Sequence, residues 1–435
     1  MIAISLKDLP DFDGVSFDTR TLKPGNLYFA ILGETKDGHD FVEEARRNGA
    51  AGLVVSKPVK SSIPVITVED TTNALGELGQ LWREQFSIPL VGLTGSNGKT
   101  TTKNMIAAIF EEAGLHPLAT EGNFNNQWGV PLMLTRLTPE HKSAVIEMGM
   151  NHFDELRYLT HLAKPTIALI TNAGPSHLEG VGGTIKGVAQ AKGEIFEGLS
   201  NDGVAVINAD DKFAELWKKL AGEPNTRKII TFGLDHPADV HGELILNGFS
   251  LNYSDQRINI KLNLLGKHNI RNALGAAAVA IANHIELSII KSALEKINPE
   301  HGRMEVKKGL NGSKIIDDTY NANPLSFKAA LEAISNPKER ARKILVLGDM
   351  RELGEQALEL HRECGKLAKS SGIDKIFATG DLMKELVKSF GENAQHFDNQ
   401  EELIQALLPC LSKEVLVLVK GSRSMKMEKV VDAIT

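Results

Sequence analysis

The sequence predicts an α/β protein of three domains, and three observations carry this prediction. Short apolar runs alternate with helical patterns along nearly the whole chain, as in parallel sheets that are covered by helices. Turn signals divide these runs into three blocks, residues 1–84, 85–310 and 311–435. The length of 435 residues agrees with two to four domains of about 150 residues each.

The first block predicts a small α/β domain. Its strand-like runs are NLYFAIL, AGLVVS and PVITV, and DFVEEARRNGA has a helical pattern. The block ends in a second helix, TTNALGELGQLWREQF, for which Thr71 or Thr72 is the expected N-cap.

The second block predicts a parallel sheet with helices on both faces. It opens with a strand, IPLVGLTG, that runs into a glycine loop and then into a helix. Further strands are expected at SAVIEM, TIALITN, GVAVIN and KIITFG, and a long helix at NIRNALGAAAVAIANHI. The third block repeats the alternation from SKIIDD to EVLVLVKG and predicts a Rossmann-like domain without the dinucleotide glycine fingerprint.

Composition narrows the class of protein. The chain has 49 Lys and Arg against 55 Asp and Glu, a net charge of −6 without a basic block, so no nucleic-acid partner is expected. Two cysteines, Cys364 and Cys410, cannot form a disulfide framework. The longest apolar run, 273–282, is too short to span a bilayer, and the N-terminus has no signal-peptide layout. We therefore expect a soluble, cytosolic protein.

The segment VGLTGSNGKTT, residues 91–101, resembles a phosphate loop of unusual length. The usual pattern has four residues between its first glycine and Gly-Lys-Ser/Thr, whereas here two residues separate Gly95 from Gly98. Between a strand and a helix, such a loop directs backbone N–H groups at a phosphate. Lys99 would then neutralise phosphate oxygens, and Thr100 would offer a hydroxyl to Mg²⁺. The alternative is a glycine turn with a solvated lysine.

Three acidic or basic residues follow this loop at positions suited to metal binding. Glu147 ends the strand SAVIE, where a metal-binding acid belongs in a parallel sheet, although it could instead face water. His177 and Lys192 flank a glycine-rich loop after TIALITN. The alternatives are a structural histidine and a lysine on a solvated helix face.

Two stretches of the last block are also candidates for ligand contacts. KIIDDTYNANP, residues 314–324, is rich in Asp and Asn, and either holds a ligand or forms a structural turn. VKGSRSMKMEKV places Lys420 and Arg423 after a strand, either for anion recognition or at a solvated helix start.

Taken together, these stretches resemble the Mur ligases, ATP-dependent amide-forming enzymes of peptidoglycan precursor synthesis, over nearly the whole chain. The short loop TGSNGKTT is similar to the phosphate loop of that family. Within the family the resemblance is to the branch that adds D-alanyl-D-alanine, on the motifs GNFNNQWGVP, EMGM, TNAGPSHLEG, AKGEIF, GKHNIRNALGAA, GDMRELG, DDTYNANP and KGSRSMKMEK. The Asp-Asn-Pro-Arg motif of the branch that adds the third amino acid is missing.

The resemblance implies an N-terminal UDP-binding domain, a central parallel-sheet ATPase domain and a C-terminal Rossmann-like domain that closes over ATP. It implies that ATP phosphorylates the carboxylate of UDP-N-acetylmuramoyl-tripeptide and that the amine of D-alanyl-D-alanine attacks the acyl phosphate. Two Mg²⁺ ions would be held by Thr100, Glu147, His177 and a carbamylated Lys192. With Lys99, the last three are the expected catalytic residues.

The resemblance also implies the contacts of the two nucleotides and of the dipeptide. The residues expected to bind ATP are Gly95, Ser96, Asn97, Gly98, Lys99, Thr100, Thr101, Asn272, Arg303 and Asp318. Those expected to bind the UDP substrate or the dipeptide are Thr19, Glu34, Thr35, Lys36, Asn123, Asn125, Asn126, Asp349, Lys420, Ser422 and Arg423. Trp128 is larger than the side chain expected there and is predicted to narrow the substrate cleft.

Two other functions stay open on the sequence. One is a different amino-acid-adding Mur ligase or a folylpolyglutamate synthase. The other is a regulatory ATPase, in which the nucleotide drives domain closure instead of chemistry. We expect a monomer in either case.

Overall fold

A computed structural model of the protein describes residues 6, 9–222, 227–246, 248–335 and 341–435. Within these residues the strands form three separate sheets that follow one another along the chain. The α/β class and the three-domain architecture are therefore confirmed. No helix in the described ranges is both long enough and apolar enough to cross a membrane.

The first sheet has four parallel strands in chain order, with two helices after its second and fourth strands. These elements are β1 (Gly14–Ser16), β2 (Asn26–Phe29), α1 (Val42–Arg47), β3 (Gly52–Val55), β4 (Val65–Thr67) and α2 (Thr71–Arg83). The expected N-cap of α2 was wrong by one residue. Asp70 is the cap and accepts a hydrogen bond from Asn73 N at 2.8 Å, because Thr71 instead donates its hydroxyl to Ala30 O at the end of the sheet.

The second sheet has nine strands in the order β13-β12-β11-β10-β9-β8-β5-β7-β6. Its strands are β5 (Leu90–Thr94), β6 (Pro117–Ala119), β7 (Ser143–Glu147), β8 (Ile167–Ile170), β9 (Val204–Asn208), β10 (Lys228–Gly233), β11 (Val240–Ile245), β12 (Gly248–Tyr253) and β13 (Gln256–Lys261). The strands from β6 to β11 are parallel, as expected, and β11, β12 and β13 pair antiparallel. These last three were not predicted, because exposed and polar residues interrupt their apolar pattern.

Helices cover both faces of this sheet, as the sequence predicted. They are α3 (Lys99–Glu112), α4 (Gly129–Leu134), α5 (Glu155–Ala163), α6 (Ile185–Gly193), α7 (Ala214–Ala221), α8 (Lys267–Ala282) and α9 (Leu287–Glu295). One apolar core joins α3, α8 and α9 to one face, and a second core joins α4 to α7 to the other. Because β5 lies between β7 and β8, the order of connection reverses beside β5, and ligands bind at such switch points in α/β sheets.

The third sheet has six strands in the order β14-β15-β19-β16-β17-β18. Its elements are β14 (Glu305–Lys308), β15 (Lys314–Asp318), α10 (Pro324–Ile334), β16 (Arg342–Gly348), α11 (Ala357–Ser370), β17 (Lys375–Thr379), α12 (Met383–Phe390), β18 (Ala394–Phe397), α13 (Gln400–Leu407), β19 (Val415–Lys420) and α14 (Glu428–Ile434). The expected boundary at 310/311 falls between β14 and β15, which pair antiparallel in this sheet, so we count β14 and the preceding Arg303 with the third domain. The polar sequence of β14 gave no strand signal.

Arg83, the last residue of α2, ties the first domain to the second. Its side chain is buried and donates to three carbonyl oxygens, those of Ala163 at 3.1 Å, Ile88 at 3.2 Å and Phe86. Ala163 ends α5, and the other two acceptors lie in the connection to β5. One guanidinium therefore satisfies backbone acceptors on both sides of the junction.

We expect Arg83→Lys to lower the free energy of unfolding by about 1–3 kcal/mol, because a lysine cannot reach three acceptors that stay buried. Urea denaturation followed by circular dichroism would measure this. Arg47→Lys is the matched control, since Arg47 is exposed and Glu43 is its one ion-pair partner in the described part of the chain. Equal stability of the two variants would contradict the role of Arg83.

Candidate active site

A cleft of about 810 Å³ lies between the second and third domains, at the carboxyl ends of β5 and β7. It brings together most of the residues that were singled out in the sequence. Those that line it are Ser96, Asn97, Gly98, Lys99, Thr100, Thr101, Asn123, Asn125, Glu147, His177, Asn272, Arg303, Asp318 and Lys420. The residues come from distant parts of the chain, so only the fold assembles them.

The phosphate-loop segment connects β5 to α3 with an uncapped helix N-terminus. Gly98 precedes the helix at a φ of 81°, and no side chain caps the helix. A Cβ at Gly98 would lie 2.3 Å from Asn272 Oδ1, and one at Gly95 would lie 1.8 Å from Thr171 Oγ1. Because the first N–H groups of a helix have no intrahelical acceptor, this end of α3 fits an anion such as a phosphate. A simple glycine turn with a solvated lysine would not explain why Asn272 and Thr171 lie so close to the two glycines.

Two residues after β8 hold the loop in this shape. Asn172 accepts from Asn97 N at 3.0 Å and donates its amide to Asn97 O at 2.9 Å. Thr171 donates its hydroxyl to the same carbonyl at 2.7 Å. Sequence reasoning quoted TNAGPSHLEG as a motif but missed these two roles. Their position directly after a strand of the parallel sheet was the available signal.

Lys99 lies inside the cleft. Its Nζ donates to Gly95 O at 2.7 Å, so the ammonium folds back along the loop. Burial lowers the pKa of Lys99, and the nearby Glu147 carboxylate opposes that shift. A cation held in this way gains a partner when an anion enters the cleft.

Arg303 and Thr100 join the third domain to the start of α3. Arg303 Nη2 donates to Thr100 Oγ1 at 3.1 Å. The guanidinium also lies 3.9 Å from the ring centroid of Tyr320, an aromatic residue of the DDTYNANP segment that sequence reasoning did not assign. Stacking of this kind fixes the guanidinium where it can reach the loop.

Glu147 fits a metal ligand. It is buried at the end of β7, and its Oε1 accepts from Asn125 Nδ2 at 2.9 Å. Its Oε2 is buried and has no hydrogen-bond partner among the described residues. A buried carboxylate oxygen without a donor is unfavourable unless a cation satisfies it, and hard cations such as Mg²⁺ prefer oxygen ligands.

His177 and Lys192 lie close enough to influence each other. Burial lowers the pKa of His177 to about 4, with smaller contributions from Lys192 and Lys99. The Nδ1 atom of His177 is 3.2 Å from Glu352 Oε2, an acid of the third domain that sequence reasoning missed.

Lys192 does not lie on a solvated helix face, which excludes that alternative. Its side chain is buried on α6. Burial, followed by repulsion from Lys99, places the pKa of Lys192 well below its usual value, and no carboxylate of the described chain offsets this shift. A lowered pKa increases the uncharged fraction of the amine, and carbamylation needs this form because CO₂ adds to it.

The DDTYNANP segment forms part of the cleft wall. Lys420 Nζ donates to Asp318 Oδ2 at 2.6 Å and to Asn321 O at 2.9 Å, while burial raises the pKa of Asp318. Asn323 exchanges two hydrogen bonds with the side chain of Asn97 in the phosphate loop, at 3.1 and 2.8 Å. This amide pair, also missed on sequence, holds the third domain against the second.

Several expected substrate residues lie outside this cleft. Asp349 is buried and accepts from Met383 N at 3.1 Å, next to the start of α12. Asn126 accepts from Gly129 N at 2.9 Å at the start of α4. The remaining ones are the exposed Arg423, the buried Thr19 and Ser422, and the exposed turn that contains Glu34, Thr35 and Lys36. Their substrate contacts stay predictions.

Trp128 also lies outside the cleft. Its Nε1 donates to Thr72 Oγ1 at 3.0 Å, and its ring packs against the apolar core of the first domain. The large side chain therefore joins the first and second domains, and its predicted narrowing of the substrate cleft between these two domains stays a prediction.

The fold and the cleft define a phosphate-loop α/β protein with a nucleotide site closed by a third domain. Three family profiles match the chain: "Mur ligase family, catalytic domain" at residues 11–83, "Mur ligase middle domain" at 93–280, and "Mur ligase, glutamate ligase domain" at 302–423. The chain belongs to the Mur ligase family.

Individual relatives match over almost the full length. The UDP-N-acetylmuramoyl-tripeptide--D-alanyl-D-alanine ligase of Haemophilus influenzae is 40% identical, over 96% of this chain and 92% of the relative. A crystal structure of MurF from Acinetobacter baumannii superposes with a TM-score of 0.90 at 32% identity, over 97% of this chain and 93% of that one. MurF from Thermotoga maritima in complex with ADP has a TM-score of 0.86 at 26% identity, over 98% of each chain.

We expect Gly98→Ala to weaken ADP binding by about tenfold or more, because its Cβ would push Asn272 and the loop apart. Isothermal titration calorimetry would measure the affinity. The control is Gly114→Ala, which has a similar φ of 74° but no atom within 4 Å of the added Cβ. That variant should lose about 1–2 kcal/mol of stability and keep its affinity for ADP. Unchanged affinity in Gly98→Ala would contradict the assignment.

Proposed function

We propose that this protein is an ATP-dependent ligase that joins D-alanyl-D-alanine to UDP-N-acetylmuramoyl-tripeptide in peptidoglycan precursor synthesis. The proposal is supported by the arrangement of the site together with the similarity of the chain to a named ligase. Ser96 to Thr101 of the phosphate loop, Glu147 and His177 line one cleft, and the buried Lys192 is close enough to lower the pKa of His177, in a chain that is 40% identical to a ligase of that name.

The reaction has two steps, and the protein acts mainly by positioning and by neutralising charge. The terminal carboxylate of the tripeptide attacks the γ-phosphorus of ATP, and ADP leaves. The amine of D-alanyl-D-alanine then attacks the acyl carbon, loses its proton and expels phosphate. The start of α3 and Lys99 bind the phosphates, Arg303 adds a second cation, and Asn272 and Asp318 contact the rest of the nucleotide.

Two Mg²⁺ ions fit the donor atoms in the cleft. Thr100 and Glu147 would hold the first, and His177 with a carbamylated Lys192 would hold the second. When bound, Mg²⁺ neutralises the charge on the transferring phosphoryl group. A carbamate would explain why Lys192 is buried without a carboxylate partner among the described residues. An amine that has bound CO₂ is an anion, with two oxygen atoms that can bind a metal ion.

The rest of the proposal concerns the substrates and the setting. Residues 1–84 would bind the UDP part through Thr19, Glu34, Thr35 and Lys36. The middle domain, 85–310, would place the peptide near Asn123, Asn125 and Asn126. The last domain, 311–435, would contact the dipeptide through Asp349, Lys420, Ser422 and Arg423. We place this monomeric enzyme in the cytoplasm.

A reconstituted reaction tests the activity. We expect purified protein with ATP, Mg²⁺, UDP-N-acetylmuramoyl-tripeptide and D-alanyl-D-alanine to form the pentapeptide and one phosphate per product, measured by mass spectrometry and a phosphate assay. Replacing the dipeptide with glutamate or with other single amino acids distinguishes this activity from those of the other Mur ligases and of folylpolyglutamate synthase. Phosphate release that does not depend on any acceptor amine would favour the regulatory ATPase.

A second prediction concerns the carbamate. We expect Lys192→Ala to reduce turnover by at least about a hundredfold, since the second metal would lose an anionic ligand. A small carboxylate such as acetate should restore part of this activity. With ¹³C-bicarbonate the wild-type protein should show a carbamate signal by NMR, and Lys192→Ala should not. Lys186→Ala, an exposed lysine of the same helix, is the control. Full activity of Lys192→Ala would remove the carbamate from the mechanism.

A further inference from the structure

Glu352 belongs to a segment of the third domain that reaches across the cleft. We call residues 348–354, GDMRELG, the presenting loop; it follows β16 and precedes α11. Glu352 has a φ of 64°, a left-handed backbone conformation that is unfavourable for a residue with a Cβ. Its side chain is mostly exposed, and its carboxylate contacts the imidazole of His177 in the middle domain. Strain at an exposed acid that meets a site residue points to a role in that site.

Hydrogen bonds from three sides hold the presenting loop in this conformation. Met350 N donates to His361 Nε2 at 3.1 Å, and Arg351 N donates to Ser422 Oγ at 2.8 Å. Ser422 N donates in turn to Asp349 O at 3.1 Å. His361 is fully buried and its ring is fixed by Nδ1, which donates to Ala357 O at 2.7 Å. The loop is therefore fixed immediately before Glu352.

The contact with His177 favours one of the two ring tautomers. Glu352 Oε2 is 3.2 Å from Nδ1, and because a carboxylate has no hydrogen to donate, this contact favours the tautomer with its hydrogen on Nδ1. The lone pair of the imidazole is then on Nε2. Carboxylates that accept from one nitrogen of a histidine commonly orient the other nitrogen for a metal ion.

We propose that Glu352 is a positioning residue that orients His177 for the second metal ion. Because Glu352 comes from the third domain and His177 from the second, the ring is oriented only when the two domains are docked. Docking would thus complete the metal site at the same time as it closes the cleft. The inference rests on the proposed function, in which His177 binds a second Mg²⁺.

Contacts other than that of Glu352 also hold the second and third domains together. The amide pair of Asn97 and Asn323 joins the same two domains, and Arg303 donates to Thr100. Removing the carboxylate should therefore change the orientation of His177 without separating the domains. This separates a positioning role from a purely structural one.

The test measures metal binding directly, with Mn²⁺ as the probe. In the ADP complex, electron paramagnetic resonance should count two Mn²⁺ ions on the wild-type protein. We expect Glu352→Gln to weaken one of them by about tenfold and to leave the other unchanged. Glu355→Gln removes the same charge three residues away, from a side chain without a hydrogen bond or ion pair to the middle domain among the described residues, and should bind like the wild type. Small-angle scattering should give the same curve for all three.

Two further variants exclude a folding effect. Glu352→Gly relieves the left-handed strain, so it should unfold at the same temperature as the wild type or higher and still lose the tenfold in Mn²⁺ affinity. Adding Glu352→Gln to His177→Asn should cause no further loss, because the ring that it orients is gone.

The outcomes are distinct from those of the ligase assay, since no peptide substrate is present in the metal titration. Wild-type Mn²⁺ binding in Glu352→Gln would overturn the inference, as would the same loss in Glu355→Gln or a single Mn²⁺ on the wild-type protein. If the wild type makes no pentapeptide but Glu352→Gln loses one ion as expected, the positioning role stands and the proposed reaction does not.

Discussion

The site depends on one constraint, which is that the N-terminus of α3 must remain free of any side chain that could cap it. Gly98 meets this requirement at a positive φ, and Asn272 fills the space that a Cβ would need. The neighbouring strand β8 fixes the loop through Thr171 and Asn172. The backbone N–H groups of the first helical turn are therefore left for an anion, at the point where the order of strand connection reverses.

Two further basic side chains, Arg303 and Lys192, lie close to Lys99 of the phosphate loop. Burial lowers the pKa of both lysines; Lys99 lowers that of Lys192 further, while Glu147 opposes the shift of Lys99. Basic groups so close together are unfavourable alone, so negative charge bound beside them would be stabilised. A polyphosphate and a carbamate would both supply it. Glu147 Oε2, by contrast, is buried without a hydrogen-bond donor among the described residues, so a cation such as a metal ion would stabilise it.

The third domain is part of the site as well as a cover for it. Three contacts come from this domain: Arg303 with Thr100, Asn323 with Asn97, and Glu352 with His177. Each main part of the nucleotide and metal site therefore has a partner from the third domain. These contacts are polar and small in number. An interface of this kind can open to admit substrates and close again, as hinged domains do.

The sequence by itself determined the elements whose pattern is local: most strands of the parallel sheets, the phosphate-loop helix, and the segments that carry Glu147, His177 and Lys192. It did not reveal β11 to β14, whose apolar patterns are broken by polar residues, nor the cap of α2, where Asp70 competes with Thr71. Only the tertiary structure decided that Asn323, Tyr320 and Glu352 reach the cleft and that Asp349 does not line it. Contacts between residues far apart in the chain depend on how the domains pack, and no local pattern encodes them.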